Sequence, residues 1–113
     1  MIEPAVLVAH ARACVDRIGT YVQKGRGEFL RSDLIQDAVL RNLETLTDSL
    51  TRLPAELKEH HPTIPWRALS AFRNVLAHQD LGVDPEQVWG VIERDLPVLK
   101  SQLEVMAREV GER

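Results

Sequence analysis

The sequence predicts an all-α fold, an up-and-down bundle of four to five helices. Apolar residues recur at steps of three and four along most of the chain. No run alternates with period two for long enough to make a strand. Most prolines fall between the periodic stretches, and Pro97 lies within one. A chain of 113 residues has room for one domain, so residues 1–113 are read as a single unit.

The elements follow in order. Leu7, Ala11, Cys14, Ile18 and Tyr21 form one apolar stripe on a first helix, which Gly25 and Gly27 are expected to end. Ser32 or Asp33 caps a second helix. Its stripe starts at Ile35 or Gln36 and continues through Val39, Leu43, Leu46, Leu50 and Leu53. Pro54 ends or restarts this stripe. Ala55 to Glu59 can make a short turn with Pro54 in its first position. The stretch His61-Pro62-Thr63-Ile64-Pro65 is a loop, because each proline pushes the residue before it out of the helical region. A helix follows from Trp66, with Leu69, Phe72 and Leu76 facing inward, and Leu81-Gly82-Val83 breaks it. Asp84-Pro85 opens the last helix in the preferred order of cap and first-turn proline. Its stripe is Val88, Ile92, Leu96, Leu99, Leu103, Met106 and Val110, and Pro97 predicts a kink or break near Arg94–Leu96.

Composition narrows the function. Hydrophobic residues make up 44% and charged residues 27%, values that exclude a disordered or collagen-like chain. One cysteine excludes an internal disulfide and a multi-cysteine zinc site. The longest apolar runs are too short to span a bilayer, and no secretory signal opens the chain, so the expected location is cytoplasmic. A formal charge of −3 does not imply a global grip on nucleic acid. Eleven of the fourteen cations are arginine, however, which keeps a local phosphate or carboxylate site in view.

Most chemical signatures are absent: there is no glycine-rich phosphate loop, no HExxH and no GxSxG. His60-His61 reads as a solvated loop end rather than a metal pair. His10 reads as a boundary residue, Cys14 as a buried inert thiol, and Trp66 and Trp89 as core packing. The segment Arg73-Asn74-Val75-Leu76-Ala77-His78-Gln79-Asp80 stands apart. It brings an Arg, an Asn and a His to the end of a short helix. Asn74 and His78 share a face, whereas Arg73 and His78 diverge by about 140° around the axis. Two copies meeting across a two-fold axis would bring an Arg and a His from each into one cleft. The plainer reading is a helix end whose Arg and His complement its dipole.

This segment resembles the R-x4-6-H motif of the HEPN superfamily, and more narrowly the HepT-like family. The resemblance extends to Gln36-Asp37-Ala38-Val39 with Arg41-Asn42-Leu43-Glu44, to Ile64-Pro65-Trp66, to Gly82-Val83-Asp84 with Val88-Trp89, and to Asp95-Leu96-Pro97-Val98-Leu99-Lys100. It implies a HEPN-like helical bundle that dimerises. It further implies a metal-independent endoribonuclease with no cofactor and no metal site, the toxin of a HEPN/MNT toxin–antitoxin pair, with RNA, transfer RNA included, as substrate. The partner would be a cognate MNT-type nucleotidyltransferase antitoxin. By the same resemblance Arg73 and His78 are catalytic and Asn74 supports them. The residue types suit the chemistry, since imidazole titrates near neutrality and a guanidinium forks onto phosphate.

One position departs from the family. The HepT motif continues as R-x4-H-x-Y, and the antitoxin adds AMP to that tyrosine. Asp80 stands there in this chain, and Tyr21, the only tyrosine, matches nothing in the motif. The alternative is therefore a non-cleaving HEPN dimer that binds nucleotide, RNA or the partner nucleotidyltransferase.

Overall fold

The computed structural model describes residues 2–78 and 82–111. The described residues form α-helices and no strand: α1 (Pro4–Tyr21), α2 (Arg26–Arg31), α3 (Asp33–Thr51), α4 (Ala55–Glu59), α5 (Trp66–Ala77), α6 (Pro85–Gly90) and α7 (Leu96–Gly111). A π-helical turn, Val91–Asp95, joins α6 to α7 without interruption, so the last two helices make one rod. The expected all-α bundle is what forms, with four long rods and the short helices α2 and α4 between them. α3 is the spine, with α1 packed on one side and α5 on the other, and α7 lies along α1.

Most residues of the predicted stripes are buried, and Val8, Val15, Phe29, Leu57 and Ile64 add to the core from outside them. Leu7, Ala11, Cys14 and Ile18 of α1 are buried, as are Val39, Leu43, Leu46 and Leu50 of α3. Val88, Ile92, Leu96, Leu99, Leu103 and Met106 of the last rod join them. Burial raises the Cys14 thiol above its ordinary value and keeps it a neutral packing group. Tyr21 departs from its stripe. It is the last residue of α1 and lies exposed, because the chain turns away there toward Gly25.

Three local expectations are corrected. Gly25 alone carries the turn after α1, with φ +90°, and Gly27 lies inside α2. α2 was hidden because six residues hold a single buried side chain, Phe29, which is too little for a stripe. Pro54 is the N-cap of α4 rather than its first helical residue. Pro97 does not break the last rod. Its missing N–H and its ring deny Glu93 the usual helical partner. The turn widens instead, and the Leu96 N–H reaches Val91 O.

Caps are as expected elsewhere. The Ser32 hydroxyl accepts from Ile35 N at 3.1 Å, and the Asp84 carboxylate accepts from Glu86 N at 3.0 Å. The proline-rich middle is tied down by Trp66. Its indole N–H donates to Lys58 O at 3.1 Å and to His61 O at 3.0 Å.

His61 corrects another expectation. His61 is buried, whereas His60 stays exposed as expected. His60 Nδ1 donates to Glu109 Oε1 and His61 Nε2 donates to Glu109 Oε2, both at 2.7 Å. The two rings clamp the α4–α5 loop to the end of α7. The hydrogen bonds from His60 and then His61 hold the Glu109 carboxyl below its ordinary range, against a smaller opposing effect of burial. A folded value below the unfolded one stabilises at pH above about 4.3, and that stabilisation is lost as pH falls through the folded value. Glu109→Gln is therefore expected to melt earlier than the parent at neutral pH. The difference should shrink as the medium is acidified below about pH 4. Thermal melts across the acid range check this.

Candidate active site

α5 places the Arg73 to His78 segment. Leu76 is its only fully buried residue among those described, and Trp66, Leu69 and Phe72 are half-buried. The helix lies on α3 with few fully buried side chains of its own and presents Arg73, Asn74 and His78 at the surface. The last residue of α5 is Ala77. His78 is its C-cap, with φ −114° and ψ 33°.

The His78 ring folds back on its own helix. Nδ1 lies 2.9 Å from the carbonyl oxygen of Asn74. A carbonyl only accepts, so Nδ1 carries the hydrogen, and in the neutral ring Nε2 holds the free lone pair. The bond also satisfies one of the carbonyls that a helix end leaves open. Asn74 thus orients His78 through its backbone. Its side chain is exposed and makes no hydrogen bond among the described residues.

Arg73 turns the other way, onto α3. Its Nε donates to Asp48 Oδ1 at 3.1 Å, and Nη2 lies 3.1 Å from the same oxygen. The second carboxylate oxygen of Asp48 is 3.2 Å from Arg52 Nε. These groups are a third to a half exposed, so the pair adds at most about 1 kcal/mol to stability. What it does is aim the guanidinium. Asp48 was not legible in the sequence, because a partner 25 residues away leaves no local pattern.

Arg73 and His78 have separate partners, Asp48 on α3 and the Asn74 carbonyl on α5. A shallow groove of about 170 Å³ runs beside Arg73, lined by Arg41, Glu44, Thr45, Asp48 and Ala77. An apolar cleft of about 250 Å³ opens on the other flank of α5. Leu69 and Phe72 of α5 form one wall, Val98 and Leu99 of α7 the other, and Leu43 and Leu46 of α3 the floor. Val98, in the wall of this cleft, is 59% exposed, and Val75 of α5 is exposed as well. Asp80 lies outside the described residues. Among the described residues, no group of three or more His, Cys, Asp or Glu is arranged to hold a metal ion, and no helix is long and apolar enough to cross a membrane.

The described residues form the all-α bundle expected of a HEPN-like protein. Comparison with known proteins gives the family. The model of the HepT-like family, described as ribonuclease HepT-like, matches residues 11–106, and the chain belongs to that family. The "Probable ribonuclease HepT" of Thermococcus cleftensis is 35% identical over 81 residues, covering 72% of this chain and 74% of that protein. A "Putative RNase" of Methanocaldococcus jannaschii is 31% identical over 86 residues, covering 76% of this chain and 74% of that protein. A "Gamma-glutamylcyclotransferase and putative RNase" of the same organism is 30% identical over 99 residues. That match takes in 87% of this chain but spans only 45% of the relative's length. No solved structure matches the chain.

Proposed function

We propose that this chain is a metal-independent endoribonuclease, the toxin of a HEPN/MNT pair, acting as a homodimer on RNA. The observation that supports the reading is the His78 ring, held by its Nδ1 bond to Asn74 O with no hydrogen bond at Nε2 among the described residues, at the end of the helix that carries Arg73 in a HepT-like chain. Nε2 of one ring takes the proton of a ribose 2′-hydroxyl. The 2′-oxygen attacks phosphorus, the bond to the 5′-oxygen breaks, and an imidazolium protonates that leaving oxygen. The products are a 2′,3′-cyclic phosphate and a 5′-hydroxyl. Arg73 holds the non-bridging oxygens as charge builds on them.

The dimer completes the site in this reading. One helix end directs Arg73 and His78 apart, and a second copy docked on the apolar cleft beside α5 supplies the missing neighbours. The cognate nucleotidyltransferase is the proposed antitoxin, acting at a surface other than a motif tyrosine, since Asp80 stands at that place.

A second reading is favoured by the Asp48 pair. A guanidinium already engaged by a carboxylate suits a non-cleaving dimer that binds nucleotide, RNA or the transferase. Incubation with RNA separates the two. Cleavage is expected to survive a chelator and to show a bell-shaped pH profile, because one basic and one acidic ring are both needed. Light scattering at low micromolar concentration is expected to give a dimer. Cleavage stopped by chelator, or a monomer that cuts, overturns the mechanism.

A further inference from the structure

The groove beside Arg73 holds a second arginine that the proposed chemistry does not use. α3 and α5 run antiparallel across it: Asp48 faces Arg73, while the earlier α3 residues Arg41, Glu44 and Thr45 share the groove with Ala77. Arg41 therefore stands at the end of α5 that carries His78. Its guanidinium is exposed and makes no ion pair among the described residues. Seven residues separate it from Asp48, about 10 Å along the helix. We propose that Arg41 is a phosphate-binding residue of the substrate groove, holding the backbone phosphate adjacent to the one at Arg73. The inference rests on the ribonuclease reading and deepens it.

The composition of the groove says what kind of anion it takes. Asp48 is satisfied by Arg73 and Arg52, and the Thr45 hydroxyl donates to Arg41 O at 3.1 Å. Glu44 remains beside Arg41 and offsets its charge. A groove so balanced holds a free anion weakly. A phosphate that arrives on a chain already anchored at Arg73 gains from high effective concentration, and the guanidinium then adds a charge-assisted fork. Arg41 thus selects a polynucleotide over a free phosphate. It acts in binding, and the reacting atoms stay with Arg73 and His78.

The test is the fluorescence polarisation of a labelled single-stranded oligoribonucleotide whose 2′-hydroxyls are methylated, so that it cannot be cut. Binding is measured over a salt series for the full chain and for Arg41→Gln, Arg41→Lys and Arg73→Gln. Arg41→Gln is expected to weaken binding on the order of tenfold at low salt. It should also flatten the slope of log affinity against log salt by about 0.7, the signature of one lost phosphate contact on a single strand. Arg41→Lys should restore the slope, and the melting temperatures of the Arg41 variants should match the parent. Unchanged affinity and slope in Arg41→Gln, alongside weakened binding in Arg73→Gln, overturns this inference alone. A parent that neither binds this oligomer nor cuts unmodified RNA overturns it together with the ribonuclease reading.

Discussion

His78→Ala is expected to reduce RNA cleavage by a factor on the order of 10² to 10⁴, the usual worth of a positioned acid–base group. The effect is large because the Nδ1 bond to Asn74 O sets the ring in one orientation before substrate arrives, and α5 carries no other histidine among the described residues. Arg73→Ala should cost on the order of 10² to 10³ through lost stabilisation of the phosphorane charge. Both substitutions are at exposed positions, so folding should be spared. Initial rates on RNA, with circular dichroism and light scattering on the same samples, check this. Full activity in His78→Ala would falsify the proposed chemistry. The double variant should be little worse than the single ones if the two residues act as one unit.

Leu50→Ala is expected to destabilise the fold by about 2–5 kcal/mol. Leu50 is 1% exposed on α3, the helix that both α1 and α5 use as a support. Truncation leaves a cavity that neither neighbour can fill without moving the other. Such domains are stable by about 5–15 kcal/mol in all, so a large share of the total is at stake. Urea unfolding followed by circular dichroism reads the loss directly. A change below about 1 kcal/mol would mean that α3 is not the spine.

The long helices were legible because each buries one face, and a buried face repeats with the helical period. Leu43, Leu46 and Leu50 announce α3 for this reason, and Ser32 announces its start. Periodicity reports that a face is covered and is silent on what covers it. The Asp48–Arg73 pair and the His60–Glu109–His61 clamp join residues 25, 49 and 48 positions apart, so neither had a local signature. α2 was too short for a stripe. Pro97 signalled a disturbance, but the choice between a break and a π-turn belongs to packing. Ile92, Leu96 and Leu99 all remain buried across the widened turn, and a break would have exposed some of them. The residues proposed for catalysis were legible through the resemblance of their segment, whereas the partners of those residues were not.

The sparse burial of α5 has a thermodynamic consequence. A helix held by Leu76 alone among fully buried residues, with half-covered Leu69 and Phe72 along an open cleft, has little local stability of its own. Whatever covers the cleft binds the docked helix better than the loosened one, and so contributes its binding free energy to the docked state. By reciprocity, anything that fixes Arg73 and His78 from the opposite edge tightens the cleft for its occupant by the same factor. Cleft and groove both border α5, so an occupant of either that favours the docked helix is expected to favour occupancy of the other.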